Sequence, residues 1–253
     1  MSGHRALVVM PTFNERDNLS SMAAEILPQG EEFHLLVVDD DSPDGTGDLA
    51  DYLAATEPRI AVLHRQRKSG LGPAYIAGLL KGLSGGFDYL ITMDGDHSHD
   101  PADLPRLLAA VRDGGADLAV GSRWVRDGRT AGWPLHRRLL SRGGSAYARI
   151  VLGLAMRDVT GGYKCMRRAV LAALEVSTIG SSGYAFNIEL NYRAVRRGFG
   201  VAEVPIVFTE RVMGTSKMSG SIVLEALLRV PALRATSLQP LAELYAPIET
   251  LAR

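Results

Sequence analysis

The segment Tyr-Leu-Ile-Thr-Met-Asp-Gly-Asp at residues 89–96 joins a short apolar run to two carboxylates separated by a glycine. A run of four to eight residues rich in aromatic and β-branched side chains predicts a buried strand. Glycine lets the chain turn sharply where such a strand ends. We therefore predict a strand over Tyr89–Met93, with Asp94 and Asp96 at its carboxyl end.

Similar apolar runs recur along the first 121 residues, and helical stretches separate them. The other predicted strands are Ala6–Met10, Leu35–Asp39, Ile60–His64 and Leu118–Gly121. The predicted helices are Glu15–Leu27, Thr46–Ala55, Pro73–Leu83 and Pro101–Arg112. This alternation is typical of an α/β fold with a mostly parallel sheet.

Polar residues follow three of these strands at the point where each strand ends. They are Pro11–Glu15, Asp39–Asp41, and the pair Asp94 and Asp96. Ligands of open α/β sheets bind at the carboxyl ends of the strands. Two carboxylates at such an edge suit a hard divalent cation whose remaining positions go to water and phosphate oxygens. The pattern therefore predicts a metal-bridged diphosphate.

Composition sets the class of protein. The chain has 253 residues, 46% hydrophobic and 22% charged, which excludes disorder, collagen and coiled coil. The single cysteine, Cys165, excludes an internal disulfide and a cysteine-cluster zinc site, and favours a reducing compartment. We predict no signal peptide and no membrane span, since no run approaches about 20 apolar residues.

The formal net charge of zero hides a division between the two halves of the chain. Residues 1–121 carry nine basic and 19 acidic side chains, whereas residues 122–253 carry 19 basic and nine acidic ones. Eight arginines and one acid, Asp127, lie between Ser122 and Arg157. This cluster predicts an anionic ligand, with a solvated basic helix face as the alternative. The acidic first half argues against nucleic acid.

The second half has a less regular pattern. It predicts a basic helix over 135–154, a turn at Thr160–Gly162, a strand over Val201–Phe208, and helices over Arg168–Leu174, Tyr184–Arg197 and Ser219–Ala235. The tail from Thr236 shows no clear period and receives no predicted structure.

Five ordered motifs resemble those of the inverting glycosyltransferases of family two, and among these the dolichol-phosphate (polyprenol-monophosphate) mannose synthases. They are Pro-Thr-Phe-Asn-Glu at 11–15, Val-Val-Asp-Asp-Asp-Ser-Pro-Asp-Gly-Thr at 37–46, Met-Asp-Gly-Asp-His-Ser-His at 93–99, Gly-Ser-Arg at 121–123 and Gly-Thr-Ser-Lys at 214–217. The resemblance extends over residues 5–235.

The resemblance implies a GT-A nucleotide-diphospho-sugar transferase fold, with a Rossmann-like, mostly parallel sheet flanked by helices. It implies one catalytic domain over 1–235, in which 1–121 bind the nucleotide sugar and 122–235 serve the acceptor and phosphates, followed by a tail at 236–253. It also implies GDP-mannose as donor, Mg²⁺ or Mn²⁺ as cofactor and a polyprenyl (dolichyl or decaprenyl) phosphate as acceptor. The product would be a polyprenyl β-mannosyl phosphate, with GDP released.

The resemblance also implies roles for individual residues. The catalytic set is Asp94, Asp96, Arg123, Arg211 and Lys217. The nucleotide-sugar set comprises Pro11, Thr12, Asn14, Glu15, Asp39 and Asp41, together with Asp94, Arg123, Arg211 and Lys217. Asp96 is the principal metal ligand, joined by Asp94 and by Ser98, which stands where some relatives have glutamine. Ser122, Arg137 and Arg138 are the residues implied to bind the acceptor phosphate.

Three further segments receive weaker assignments. The loop Lys68–Gly72 and the turn residues Thr160 and Gly161 are predicted to approach the ligands. His97 and His99 are predicted to be structural, because a phosphate acceptor is already ionised near neutral pH and offers no proton to a base. Catalysis then depends on orientation and on positive charge near the departing diphosphate.

Other functions stay open at this point. One alternative is a polyprenyl-phosphate glucosyl- or N-acetylglucosaminyltransferase that uses a UDP-sugar, and another is a non-catalytic nucleotide-binding subunit of a membrane complex. A dinucleotide oxidoreductase is excluded, because the first strand lacks a Gly-x-Gly-x-x-Gly turn. We expect a peripheral protein on the cytoplasmic side of the plasma membrane, or of the endoplasmic reticulum in a eukaryote, with a possible integral membrane partner subunit.

Overall fold

The computed structural model describes residues 4–181, 183–210 and 229–235. Its strands are β1 (Ala6–Thr12), β2 (Phe33–Asp39), β3 (Ile60–His64), β4 (Tyr89–Thr92), β5 (Leu118–Ser122), β6 (Arg129–Ala131), β7 (Lys164–Arg167), β8 (Val201–Pro205) and β9 (Val207–Thr209). Its helices are α1 (Arg16–Ile26), α2 (Thr46–Thr56), α3 (Leu71–Ser84), α4 (Leu104–Arg112), α5 (Leu135–Leu152), α6 (Arg168–Leu174) and α7 (Gly183–Arg196). Residues 229–235 are also helical.

Seven of these strands form the central sheet, in the order β3-β2-β1-β4-β7-β5-β8. All neighbouring pairs are parallel except those that β7 makes with β4 and β5. A mostly parallel α/β sheet is thereby confirmed. Because β2, β1 and β4 are adjacent, the three polar segments that follow them lie side by side at one edge.

The two faces of the sheet are covered by different helices, as the alternation of side chains along a strand requires. Leu7 and Val9 of β1 pack into one core with residues of α3, α5, α6 and α7. Val8 and Met10 pack into the other core with residues of α1 and α4. Burial on both faces explains why β1 and β2 are continuous apolar runs.

Two glycines let α3 approach the sheet closely. A Cβ at Gly78 would lie 2.3 Å from Val9 Cγ1, and one at Gly82 would lie 2.4 Å from Leu90 Cδ2. Such distances are well inside van der Waals contact, so the helix axis can reach this depth only without side chains there. The close packing fixes the amino end of α3 at the carboxyl edge of the sheet.

The structure corrects two predictions about the second half. Strand β7 was not predicted, since its short sequence, Lys-Cys-Met-Arg, begins and ends with a charged residue. Antiparallel pairing with β4 on one side and β5 on the other holds it in the sheet. The single strand predicted over Val201–Phe208 is wrong: the chain leaves the central sheet after Pro205, and β9 pairs with β6 in a separate two-stranded sheet.

The remaining outcomes concern helices. The helix predicted over Pro101–Arg112 begins with a 3₁₀ turn at Pro101–Asp103, where the Asp100 carboxylate accepts from the Ala102 N–H. Of the helix predicted over Ser219–Ala235, residues 229–235 are confirmed, whereas 219–228 and the tail at 236–253 lie outside the described residues. Over the ranges that the structure describes, none of the helices is both long enough and apolar enough to span a bilayer.

Candidate active site

A cavity of about 380 Å³ lies at the carboxyl edge of the sheet. The segments after β1, β2 and β4 and the start of α3 form one part of its lining. The other part comes from the second half of the chain, between Arg123 and Phe208. The acidic and basic halves of the sequence therefore meet at one cavity.

The end of β1 and the segment after it contribute Pro11, Thr12, Phe13 and Glu15 to the lining. The Glu15 N–H donates to Thr46 Oγ1 over 3.1 Å, which fixes the entry to α1. Phe13 presents an aromatic ring whose centroid lies 3.6 Å from the Lys68 Nζ, a cation–π contact. This aromatic surface with a cation above it is suited to a nucleotide.

Three consecutive aspartates stand at the end of β2 and in the turn after it, where Asp39 and Asp40 are buried and Asp41 is exposed. Asp39 is buried and accepts hydrogen bonds from the Ser42 N–H and the Thr12 hydroxyl. Asp40 lines the cavity, forms an ion pair with Arg65 at 2.5 Å, and accepts from the backbone N–H groups of Ser69 and Gly70. Asp40 therefore positions the loop at 68–70, which also lines the cavity.

The segment after β4 places Asp94 and Asp96 in the cavity wall. The Tyr75 hydroxyl donates to Asp94 Oδ1 over 2.7 Å, and the Ser98 N–H donates to Asp96 Oδ1 over 3.1 Å. Burial, together with the neighbouring Asp94 carboxylate, raises the pKa of Tyr75 well above its usual range, so that its hydroxyl stays a donor. These bonds fix the positions of the two carboxylates.

His99 lies behind this carboxylate pair. Its Nδ1 accepts from the Asp94 N–H over 3.1 Å, and its ring stacks on Tyr163 with centroids 4.7 Å apart. Burial lowers the pKa of His99, which keeps the imidazole neutral at physiological pH. The acceptor role of Nδ1 places the proton on Nε2.

The oxygen donors near Asp96 fit a hard divalent cation. Ser98 Oγ is buried and has no hydrogen-bond partner among the described residues, and its own N–H is bonded to the Asp96 carboxylate. Across the described ranges, no group of three or more histidine, cysteine, aspartate or glutamate side chains forms a metal cage. Mg²⁺ commonly binds through one or two carboxylates and completes its shell with water and substrate phosphates. Asp94 and Asp96 supply that number.

On the basic side, Arg123 is nearly fully buried and lines the cavity. Its guanidinium donates to both oxygens of Asp158 at 2.7 Å, and also to Thr160 Oγ1 at 2.9 Å. Burial opposes ionisation of Asp158, but the Arg123 guanidinium outweighs it and holds the pKa of that carboxyl below its ordinary value. The bidentate pair fixes the plane of the guanidinium.

Arg137 lines the same cavity from the first turns of α5. Its guanidinium carbon lies 4.0 Å from the centroid of the Trp133 ring, and its Nη1 is paired with Glu210. Trp133 in turn packs edge-on against Phe208 of β9. The small sheet of β6 and β9 therefore carries an aromatic support for this arginine.

The predicted site residues divide into three groups. Those that line the cavity are Pro11, Thr12, Glu15, Asp94, Asp96, Arg123 and Arg137. Those that lie near it without lining it, or on the outer surface, are Asn14, Asp39, Asp41, Ser98, Ser122 and Arg138. Arg211 and Lys217 lie outside the described residues.

Several lining residues were missed by sequence reasoning. The sequence does carry a signal for Asp40. Leu36 and Val38 of β2 lie on the sheet face that packs against α3, and side chains alternate between faces along a strand. Position 40 therefore continues that face and reaches the cavity, whereas position 39 lies on the opposite face. Asn187 of α7, Trp133 and Phe208 have no comparable signal, because tertiary packing alone brings them to the cavity.

The backbone of the site segments is unusual. Asn14, Asp41 and His97 have positive φ angles of 58°, 64° and 58°, and one lies after each of β1, β2 and β4. Non-glycine residues adopt this region uncommonly, and asparagine, aspartate and histidine do so most readily. The turns that present the acidic side of the cavity are therefore conformationally restrained, as is common at ligand sites.

Comparisons with known proteins identify the family of the chain. The model of a family described as "Glycosyl transferase family 2" matches residues 7–174. The "Polyprenol monophosphomannose synthase" of Mycolicibacterium smegmatis is 50% identical over 227 residues, which cover 89% of this chain and 85% of that protein. The "Undecaprenyl-phosphate mannosyltransferase" of Micrococcus luteus is 49% identical over 226 residues, which cover 89% and 92%.

A more distant relative and a solved structure extend the comparison. The "Dolichol-phosphate mannosyltransferase" of Pyrococcus furiosus is 36% identical over 224 residues, covering 87% of this chain and 61% of that protein. Glucosyl-3-phosphoglycerate synthase from Mycobacterium tuberculosis, solved with Mn²⁺, UDP and glucosyl-3-phosphoglycerate, superposes with a TM-score of 0.67 at 21% identity, covering 91% and 81% of the two chains. This likeness shows the shared GT-A fold.

Proposed function

Because the chain belongs to glycosyltransferase family 2, we propose that it transfers mannose from GDP-mannose to a polyprenyl phosphate with inversion. The products are a polyprenyl β-mannosyl phosphate and GDP. The observation that carries the proposal is one cavity with Asp94 and Asp96 on one side and Arg123 and Arg137 on the other. The relatives named for mannose transfer to polyprenyl, undecaprenyl or dolichyl phosphate supply the substrate classes.

The donor nucleotide is assigned to the acidic half, residues 1–121. Pro11, Thr12 and Glu15 line the cavity there, and the Phe13 ring with Lys68 offers a face for the base. Asp39 supports this wall from behind through the Thr12 hydroxyl. The assignment of Asn14 and Asp41 to the nucleotide remains part of the proposal.

A divalent cation, Mg²⁺ or Mn²⁺, would be held by Asp96 and Asp94, with the adjacent Ser98 hydroxyl as the further oxygen donor. When bound, such an ion neutralises the diphosphate and makes GDP a better leaving group. The carboxylates are kept in place for this by the Tyr75 hydroxyl and the Ser98 N–H.

The acceptor is assigned to the basic half, residues 122–235. Arg137, and Arg123 beside Thr160, place positive charge in the cavity wall where a phosphate oxygen can be oriented for attack. No general base is required, because a lipid phosphate is already anionic at neutral pH. Ser122 and Arg138 are proposed to assist on the acceptor side, and Arg211 and Lys217 to act on the donor phosphates.

Helix α5 supplies a surface suited to the lipid. Leu135, Leu139, Leu140 and Ile150 are exposed, with 68%, 62%, 46% and 72% of their surface accessible. Arg138 and Arg142 are exposed on the same helix. A helix with exposed leucines and arginines suits an anionic membrane surface. Since Arg137 of α5 lines the cavity, a bilayer on this helix lies close to the acceptor site.

The proposal includes a peripheral location on the cytoplasmic side of the plasma membrane, or of the endoplasmic reticulum in a eukaryote, with α5 against the lipid. An integral membrane partner subunit belongs to the same proposal, as a second means of holding the cavity against the lipid. Coexpression with candidate subunits, followed by fractionation, tests the partner separately from the chemistry.

Radiolabelled sugar transfer tests the function. Purified protein is incubated with Mg²⁺, a short polyprenyl phosphate, and GDP-mannose, UDP-glucose or UDP-N-acetylglucosamine. We expect label in the lipid phase from GDP-mannose alone, and a β-anomeric product by NMR. Label from a UDP-sugar instead would overturn the donor assignment. An α-linked product would overturn inversion by single displacement.

A further inference from the structure

Asn187 of α7 lies in the cavity wall, although only 2% of its surface is accessible. Neither the nucleotide site nor the metal site proposed above uses this side chain. A buried amide must be hydrogen-bonded or lose free energy. Its partners therefore indicate what the amide does.

The partner of Asn187 is Lys164 of β7, which is completely buried. The Lys164 Nζ donates to Asn187 Oδ1 over 2.5 Å and also to the Gly161 carbonyl oxygen. Nζ donates in both contacts, and within the amide only the oxygen can accept a hydrogen bond, so the oxygen faces Lys164. This contact decides the amide orientation, which is otherwise ambiguous in asparagine.

With its oxygen on Lys164, the amide turns its Nδ2 group toward the cavity. The Nδ2 atom lies 3.7 Å from the point where a Cβ of Gly162 would stand, and Gly162 itself lines the cavity. In the described part of the chain, Nδ2 donates to no protein acceptor. Asn187 therefore presents only N–H donors to whatever occupies this corner.

The surroundings of this corner indicate the kind of ligand. His99 Cε1 lies 3.6 Å from the same point above Gly162, and the His99 Nδ1 is bonded to the Asp94 N–H. Asp94 and Asn187 both line the cavity, so a ligand bound there can meet the amide and the carboxylate together. A phosphate oxygen only accepts hydrogen bonds and is repelled by a carboxylate. A sugar hydroxyl accepts from an amide and donates to a carboxylate at the same time, so it satisfies both groups.

We infer that Asn187 donates a hydrogen bond to a hydroxyl of the transferred hexose, and that Lys164 is the positioning residue that fixes its amide. The inference rests on the proposed function and adds to it a residue for sugar selection. Lys164 does not touch the sugar; it acts through the orientation of Asn187. Asn187 belongs to the second half of the chain, so sugar recognition draws on both halves.

The test is a double-mutant cycle that removes one hydroxyl from the sugar donor and the amide from the protein. Transfer is measured with GDP-mannose and each of its monodeoxy analogues for the wild type and Asn187→Ala. The wild type should lose about ten- to a hundredfold in kcat/KM with the analogue that lacks the contacted hydroxyl, as expected for an unpaired buried group. Asn187→Ala should lose a similar factor with GDP-mannose and nothing further with that analogue. If Asn187 had a purely structural role, Asn187→Ala would lower kcat/KM by the same factor for every donor, and that result would overturn the inference.

Two further variants keep the test decisive if Asn187→Ala folds poorly. Asn187→Asp keeps the shape and the contact with Lys164 but removes both N–H donors, so it should show the same pattern. Lys164→Met should show the pattern more weakly, because the amide is then free to rotate. Equal losses with all donors in both variants would exclude the assignment.

Asn191 is the matched control. It lies one turn further along α7, is fully buried, donates to the Val159 carbonyl oxygen over 2.9 Å, and does not line the cavity. Asn191→Ala should reduce stability and leave the ratios among donors unchanged. If the wild type uses a nucleotide sugar other than GDP-mannose, the monodeoxy analogues are made from that sugar. A wrong donor assignment is thereby distinguished from a wrong role for Asn187.

Discussion

The two sides of the cavity hold their charges in different ways. On the acidic side, the Tyr75 hydroxyl and the Ser98 N–H, both neutral donors, fix Asp94 and Asp96. On the basic side, Arg123 is paired with Asp158 and Arg137 with Glu210. The two carboxylates are thus bonded by neutral donors, whereas each of these two arginines has an acid beside it.

The difference shows how a sequence charge count can mislead. Residues 122–253 carry ten more basic than acidic side chains, yet its two cavity-lining arginines are balanced by buried or half-buried acids. A buried guanidinium without a partner is strongly unfavourable, so the fold supplies one. What the basic side offers is therefore directed N–H groups in fixed planes more than free charge.

The largest effect is expected on the acidic side. Asp96→Ala should abolish transfer with little change in the free energy of unfolding, because the lost carboxylate would hold the cation near the diphosphate. Transfer assays in Mg²⁺ and Mn²⁺ and urea unfolding measure the two effects. Asp17→Ala, an exposed acid of α1, is the control and should keep full activity. Substantial activity of Asp96→Ala in Mg²⁺ would contradict its role as a metal ligand.

The two arginine pairs of the basic side should differ in stability. Asp158→Asn leaves Arg123 buried without a counterion and should lower the free energy of unfolding by about 3–5 kcal/mol. Glu210→Gln should lower it by about 1 kcal/mol or less, since the Glu210 side chain is 38% exposed. Urea denaturation of both variants gives the comparison. Equal losses in the free energy of unfolding would mean that the difference in burial does not change how much the two ion pairs stabilise the fold.

Lys164 is a buried cation whose hydrogen bonds go to neutral oxygens, and it should make stability depend on pH. Burial lowers the pKa of Lys164 to about 7, against 10.5 for a free lysine, even with Asp158 and Asp94 nearby. Between these values the unfolded chain binds more protons than the folded one. The free energy of unfolding should therefore rise with pH, by up to about 1.4 kcal/mol per unit.

Lys164→Met removes this titration. Unfolding by urea at pH 7.5 and pH 9.5 should show a smaller rise for the variant than for the wild type, which supplies the reference for all other groups. The same rise in the free energy of unfolding in both proteins would show that Lys164 does not lose its proton between pH 7.5 and pH 9.5. Lys164 would then be a charged, buried lysine in the folded protein.

The smallest effects are expected from the exposed arginines of α5. Arg138→Gln and Arg142→Gln should each weaken binding to anionic phosphatidylserine vesicles by about fivefold, the equivalent of roughly 1 kcal/mol per charge near the surface. Vesicle sedimentation measures the binding. Arg196→Gln, which removes an exposed arginine of α7, should have no effect. If all three variants bind equally, α5 is not the membrane-facing helix.

The fold of the first half was largely predictable, for a physical reason visible in β1 and β2. Strands buried on both faces must be apolar almost throughout, so their sequences mark them with little ambiguity. The edge strand β3 is only partly buried, yet its predicted bounds Ile60–His64 are confirmed. The polar segments that follow β1 and β2 are equally distinct. The acidic side of the cavity was therefore predicted in its main features. Asp40 was missed because it stands in a run of three aspartates, although the alternation of side chains along β2 identifies it.

The basic side was much less predictable. Lys164 lies in a strand that only its two neighbours stabilise, and its burial depends on oxygen atoms from a turn and from α7. The amino-acid sequence by itself determined the parallel sheet, the family and the carboxylates at its edge, since local periodicity and adjacent motifs encode them. Only the tertiary structure decided which arginines are paired, which way the Asn187 amide points and where the small sheet of β6 and β9 closes the cavity, because these depend on contacts between residues far apart in the chain.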